Sequence, residues 1–186
     1  MAATTRAEPL LLVPGLMCDA AVWAPVIAGL GDAADGHVVD HGRASDLPTM
    51  ARQLLAAAPP RFALAGHSMG ARVALEVLRA APARVTRLAL LDTGLTPRPP
   101  GAAGADEARK RHALLAVARV HGVRAMAREW VRGMVHPDRL GDAALIESIV
   151  AMFERHSADV FEAQIGALLE RPDASGVLAG VAVPTL

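Results

Sequence analysis

The sequence predicts an α/β fold in which a parallel sheet forms the core and a helical segment forms a cap. Two observations carry this prediction. Between residues 9 and 91, short apolar runs alternate with stretches of helical periodicity, which is typical of a parallel sheet with right-handed crossovers. From Asp106 to Arg171 the periodicity is helical throughout. A helical insertion after such a core most often covers the strand ends, where substrates bind.

The core elements can be placed in order along the chain. Strands are expected at residues 10–13, 37–40, 62–65 and 85–91, and helices at 20–30, 50–58 and 71–80. The apolar run at 10–13 does not alternate with polar residues, which favours a strand that is buried on both faces. Amphipathic spacing of Val73, Ala74, Val77 and Leu78 supports the third helix.

The second half is expected to begin with a linker. Residues 96–104 contain three prolines and two glycines, a composition typical of a loop. The helical segments that follow should break near Gly122, Pro137, Gly141 and Ser157, and 181–186 has the pattern of another buried strand. The predicted division is therefore a core at 1–98, a helical cap at 99–180 and a returning core strand at 181–186.

Composition narrows the class of protein. The chain has 186 residues, of which 53% are apolar, enough for a domain with a hydrophobic core. With 19 basic and 19 acidic residues, neither nucleic acid nor an anionic membrane is an expected partner. Cys18 is the single cysteine, so an internal disulfide is excluded. The apolar run near the N-terminus is too short for a signal peptide, and we expect a cytoplasmic protein.

The most informative motif is Gly66-His67-Ser68-Met69-Gly70, which reads G-x-S-x-G between a predicted strand and a predicted helix. At such a turn the serine hydroxyl projects into the crevice at the strand end, and the flanking glycines allow the close turn. The N-terminus of the following helix favours a developing negative charge. This context favours Ser68 as a nucleophile. The alternative is a glycine-rich turn whose serine caps a helix.

A serine that transfers acyl groups also needs N–H donors for the oxyanion. One candidate is the amide of Met69, directly after the nucleophile. The second is expected in the loop after the first strand, where Leu16 is the first candidate and Met17 the fallback. The alternative for this loop is an ordinary turn at the end of a strand.

Several of these segments resemble the α/β-hydrolase superfamily, and its small bacterial carboxylesterase-like and haloperoxidase-like members most of all. The resemblance spans roughly residues 9–186 and rests on 10–16, Trp23, 39–42, 66–70 and 90–94. The chain departs from the usual His-Gly of that family by having Pro14-Gly15. The resemblance implies a serine hydrolase that acts on a small ester or related acyl compound, without a metal or organic cofactor.

In that superfamily the acid and the histidine of the triad follow the nucleophile in later loops. The resemblance therefore implies that both lie beyond Leu186, that the core lacks its C-terminal strands, and that this fragment has little or no activity. Asp92 is an alternative acid, although a turn that it caps with Thr93 is the preferred interpretation. His67 is expected to point away from Ser68, and none of the seven histidines is a good candidate for the base.

The candidate pocket residues are Met17, Trp23, Met126 and Trp130. Met126 and Trp130 share a helical stripe, which is more typical of packing; if it lines the pocket, the substrate is apolar. The basic residues after Arg109 are typical of a solvated helix face rather than of nucleic-acid binding. Two other functions stay open: a non-catalytic binding module or pseudoenzyme, and a lyase, thioesterase or cofactor-free perhydrolase on the same fold.

Overall fold

A four-stranded parallel sheet in the order β2-β1-β3-β4 forms the centre of the structure, a computed structural model that describes residues 7–186. Its strands are β1 (Pro9–Val13), β2 (Asp35–Val38), β3 (Phe62–His67) and β4 (Val85–Leu91). Each adjacent pair runs parallel, so the carboxyl ends of all four strands meet at one edge of the sheet. The predicted fold class is confirmed.

Three helices connect the strands, and five more follow the last of them. The connecting helices are α1 (Ala20–Leu30), α2 (Leu47–Ala57) and α3 (Met69–Ala80). The later helices are α4 (Gly101–His121), α5 (Val123–Trp130), α6 (Ala143–Glu154), α7 (Ala158–Leu169) and α8 (Ser175–Ala179). In the described part of the chain, none of the helices combines the length and the apolar character that crossing a bilayer requires.

The predicted linker at 96–104 is too long, because α4 already begins at Gly101. The glycines that suggested a loop have a different role here. A Cβ atom on Gly104 would lie 1.9 Å from the carbonyl oxygen of Pro99, so glycine lets the first turn of α4 pack directly on the preceding segment. The predicted break at Gly122 is present, and its φ of +86° suits glycine.

The sheet separates a large core from a small one. Helix α3 lies against the sheet on the side of the large core, where Val73, Leu75 and Val77 are fully buried. Leu12, Trp23 and Ala65 form the small core. Because successive side chains of a strand point to opposite faces, Leu12 lies opposite its neighbours Leu11 and Val13 in the large core.

The last residues run alongside β4 and parallel to it. The amides of Leu88 and Leu90 donate to the carbonyl oxygens of Pro184 and Leu186, each at 3.0 Å, and Thr185 forms a parallel bridge with Leu88. The expected burial is not seen, because Leu186 is 88% exposed. In this structure the segment is a solvent-facing edge of the sheet.

Candidate active site

Ser68 lies in the turn between β3 and α3 with an unusual backbone conformation. Its φ of +54° and ψ of −115° belong to a region that L-residues rarely adopt, and such strain concentrates at functional sites. The carbonyl oxygen of Leu91 accepts from the Ser68 amide at 2.8 Å, and Thr93 Oγ1 donates to the Ser68 carbonyl at 3.0 Å. The Ser68 side chain makes no capping hydrogen bond with α3, which is the bond that the helix-cap alternative requires.

Two glycines make this turn possible by allowing backbone atoms to approach closely. A Cβ atom on Gly66 would lie 2.5 Å from Cα of Ala71. One on Gly70 would lie 2.1 Å from the carbonyl oxygen of Val13. Both distances are far below van der Waals contact, and the obstructing atoms belong to the backbone. The first turn of α3 is therefore held directly against the end of β1.

The loop after β1 packs on this turn and brings the two predicted oxyanion donors to one cavity. A Cβ atom on Gly15 would lie 3.3 Å from Cβ of Ser68, which shows how closely the loop approaches. Leu16 and Met69 both line the cavity that contains Ser68. Within residues 7–186 neither of their amides donates a hydrogen bond. Both N–H groups are therefore unpaired in the described part of the chain.

The amide of Met17, the fallback donor, is already engaged. It donates to Oε1 of Gln164 at 2.8 Å, a contact between residues 147 positions apart that ties α7 to the oxyanion loop. His41 holds the same loop from the other side by donating from Nε2 to the Pro14 carbonyl oxygen at 3.1 Å. Burial lowers the pKa of His41, which favours the neutral imidazole. The loop is therefore fixed by two buried polar side chains.

Gln164 was not identified from the sequence, although a signal for it exists. It is 3% exposed and shares a helix face with the buried Phe161, Ile165 and Leu168. A single amide side chain on an otherwise apolar face needs a hydrogen-bond partner, because an unsatisfied buried polar group costs about 1–3 kcal/mol. The helical periodicity of α7 therefore predicts that Gln164 has a hydrogen-bond partner, but it does not identify the Met17 amide as that partner.

Replacing Gln164 with leucine is expected to lower the free energy of unfolding by about 1–3 kcal/mol, because the buried Met17 amide loses its acceptor. The measurement is a urea denaturation midpoint. The matched control is Gln53→Leu on α2, where the side chain is exposed and little change is expected. Equal midpoints for the two variants would show that the Gln164 hydrogen bond does not stabilise the loop.

The cavity that contains Ser68 has a volume of about 720 Å³ and lies between the strand ends and the later helices. One part of its wall is apolar and includes Leu114, Trp130, Ile149, Phe153, Phe161 and Ile165. The Trp130 ring packs against Phe153 and Phe161 at centroid distances of 5.3 and 5.5 Å. Residues of α4 to α7 thus form much of the cavity wall, and the role of these helices as a cap stays a prediction.

The structure places one of the four predicted pocket residues, Trp130, on the cavity wall. Met17 and Met126 are fully buried in the large core, and Trp23 packs with Leu12 in the small core. These three do not line the cavity. The packing interpretation of the stripe therefore describes Met126, whereas Met134 joins Trp130 on the wall. Met126 and Trp130 both lie on α5, but Met126 packs in the large core and Trp130 lines the cavity.

Among the described residues, His67 is the one histidine that lines the cavity. No histidine of residues 7–186 hydrogen-bonds to Ser68. The Nδ1 atom of His67 is buried without a hydrogen-bond partner there, and burial lowers the pKa of His67 against the opposing effect of Asp92. Asp92 is exposed, lines the cavity and has a φ of +48°. Thr93 donates to Ser68 rather than forming the expected turn cap with Asp92.

A charged cluster forms another part of the wall. Arg171 binds both carboxylate oxygens of Glu107 at 2.7 and 2.9 Å, and Arg111 donates to the same carboxylate at 3.0 Å. The hydrogen bond from Arg171, followed by that from Arg111, lowers the pKa of Glu107 to about 2. Arg111 belongs to the basic face that the sequence predicted to be solvated, but its side chain is only 26% exposed. The side chain of Arg171 is 9% exposed.

The pKa of Glu107 predicts a pH-dependent stability. The pKa of Glu107 in the folded state lies below its ordinary value of 4.5. The ionised carboxylate therefore stabilises the fold above about pH 5, and this stabilisation is lost as the pH falls toward 2. We expect Glu107→Gln to reduce the free energy of unfolding by on the order of 2–3 kcal/mol at pH 7, with a difference that vanishes near pH 2. Thermal melts across this range measure it.

The control for this effect is Asp106→Asn, which removes a neighbouring carboxylate that contacts Lys110 at 2.7 Å near the surface. Exposed ion pairs contribute little, so its stability should follow the wild type at every pH. A Glu107→Gln variant with the same pH profile as the wild type would contradict the assigned coupling between Glu107 and Arg171.

Comparison with solved structures decides the fold. An enol-lactonase from Burkholderia xenovorans superposes with a TM-score of 0.81 at 18% identity over 96% of this chain and 71% of its own. A thermophilic esterase from Thermogutta terrifontis, solved with malate bound, superposes with a TM-score of 0.78 at 22% identity over 99% of this chain and 75% of its own. The chain has the α/β-hydrolase fold.

Another solved structure with the α/β-hydrolase fold extends the comparison. MenH from S. aureus gives a TM-score of 0.76 at 17% identity over 100% of this chain and 76% of its own. No protein-family model matches the sequence, and the search of curated proteins finds no relative. The comparisons therefore establish the fold alone, because proteins that share one fold carry out different reactions.

Proposed function

We propose that this chain is a serine hydrolase that acts on a small ester or related acyl compound. The observation that supports this most strongly is Ser68, which lies in a strained turn on the wall of a cavity that also holds two unpaired amides. An esterase and an enol-lactonase are among the solved proteins with the same fold. In this proposal residues 99–180 act as the cap that encloses the substrate.

The chemistry follows from the positions of these groups. Ser68 Oγ attacks the carbonyl carbon of the ester, and the Leu16 and Met69 amides stabilise the negative charge that develops on the carbonyl oxygen. The bond between the acyl carbon and the alcohol oxygen then breaks, the alcohol leaves after taking a proton from solvent, and the acyl group stays on Ser68. Water attacks this acyl-enzyme, releases the carboxylic acid and restores the hydroxyl.

Removal of the proton from the Ser68 hydroxyl is the slow step of this reaction. Since no imidazole of residues 7–186 hydrogen-bonds to the hydroxyl, the Ser68 proton passes to solvent. General-base catalysis is worth roughly 10²–10⁴ in rate, so acylation is expected to be slow without it. The same observation favours a second candidate, a non-catalytic binding module in which the cavity holds a ligand without turnover.

Acetyl transfer from p-nitrophenyl acetate separates the two candidates, because this leaving group needs no protonation. The hydrolase proposal predicts an acetyl group on Ser68, detected by peptide mass spectrometry, and slow release of nitrophenolate that is absent in Ser68→Ala. Release at the same rate in both proteins, with Ser68 unmodified, would leave the binding module as the function.

A further inference from the structure

Three guanidinium groups and one carboxylate share a region of the cavity wall that includes Ser68. Arg111 and Arg171 both bind Glu107. Arg72 Nη1 and Arg171 Nε donate to the same acceptor, the carbonyl oxygen of Thr96, at 3.1 and 3.3 Å. The cluster therefore has an excess of two positive charges, confined to a few side chains around one carbonyl group.

Arg72 is the member of this cluster whose charge is uncompensated. Its guanidinium contacts a backbone carbonyl, and within residues 7–186 it forms no ion pair. Burial and the nearby charge of Arg171 lower the pKa of Arg72, which reflects the same crowding of like charges. An anion placed between Arg72 and Arg171 would relieve this repulsion.

The position of Arg72 connects the cluster to the proposed nucleophile. Arg72 lies one turn into α3, where its amide donates to the Ser68 carbonyl oxygen at 3.4 Å. Its Nη2 would lie 3.0 Å from a Cβ atom on Gly94, so the guanidinium extends over the loop that follows β4. A group bound there shares the cavity with Ser68. The other carboxylate on the wall, Asp92, is exposed.

We propose that Arg72 and its cluster bind a carboxylate carried by the substrate, so that the substrate class is a monoester or lactone with a free carboxylate. This rests on the proposed function for the ester end of the molecule. A planar guanidinium pairs with a carboxylate through two parallel hydrogen bonds, which fixes orientation as well as affinity. Glu107 keeps Arg111 and Arg171 in place and leaves Arg72 as the principal donor.

The test compares monomethyl glutarate with dimethyl glutarate, which has the same chain but no charge, by isothermal titration calorimetry. We expect the wild type to bind the monoester at least about tenfold more tightly than the diester, as a charged hydrogen bond implies. Arg72→Gln should remove that preference. The matched control is Arg109→Gln, an exposed arginine outside the cavity, which should retain it.

Two further variants keep the outcome interpretable. Arg72→Lys retains the charge without the bidentate geometry and should show an intermediate preference, which also covers the case in which Arg72→Gln fails to fold. Ser68→Ala should bind the monoester like the wild type, so a failure of acyl transfer does not affect this result. Equal binding of monoester and diester by the wild type, or an unchanged preference in a folded Arg72 variant, would overturn the proposal.

Discussion

A Gly70→Ala substitution is expected to destabilise the folded chain by about 3 kcal/mol or more. The added Cβ would lie 2.1 Å from the Val13 carbonyl oxygen and 2.6 Å from that of Pro14. Both atoms belong to the backbone where β1 ends, so no side chain can rotate away. To accept the methyl group, α3 must move away from β1, and this also separates Ser68 from the Leu16 amide. Urea denaturation measures the loss of stability.

Gly29 provides the matched control, since it also lies inside a helix and a Cβ atom there meets nothing within 4 Å. Gly29→Ala is expected to leave stability unchanged or to raise it by up to about 1 kcal/mol, because alanine favours the helix. If both variants unfold at the same urea concentration, the close packing of α3 on β1 does not contribute to the stability of the fold as predicted.

Imidazole in the buffer is expected to accelerate the reaction of Ser68 with a fluorophosphonate in proportion to its concentration, by less than the roughly 10²–10⁴ that a positioned base supplies. The reason is that no imidazole of residues 7–186 hydrogen-bonds to the hydroxyl, while the proposed oxyanion donors, the Leu16 and Met69 amides, are unpaired in the same part of the chain. The measurement is the labelling rate followed by intact-protein mass spectrometry.

Pyrazole is the control for this experiment, because it has nearly the same size and shape as imidazole but is far less basic. Labelling in pyrazole should match labelling in buffer alone. Rapid labelling without any additive would show that a group of this chain, with His67 the nearest candidate on the cavity wall, already acts as the base.

The sheet and the turn that holds Ser68 could be predicted because their signals are local. Short segments rich in apolar residues marked the strands, although β2 lies at 35–38 rather than at the predicted 37–40. G-x-S-x-G between a strand and a helix marked the turn. The structure confirms the parallel α/β architecture and gives Ser68 the strained backbone that such a turn requires. The roles of Ser68, Leu16 and Met69 in catalysis stay predictions.

The features that the sequence did not predict depend on partners far along the chain. Gln164 binds the Met17 amide, and Arg171 binds Glu107 across 64 positions. Helical periodicity assigns each residue to a face of its helix, but it does not identify the distant backbone amide or charged side chain that the face contacts. The same limit explains Trp23, which lies in the small core on the opposite side of the sheet from the residues that pack with α3.

Ser68 is the proposed nucleophile of this site, and peptide mapping after exhaustive fluorophosphonate treatment tests that role most directly. The chain has five serines, at positions 45, 68, 148, 157 and 175. We predict a single phosphonyl adduct, located on Ser68 and absent from a folded Ser68→Ala variant. An unmodified Ser68, or equal labelling of the wild type and Ser68→Ala, would contradict that role.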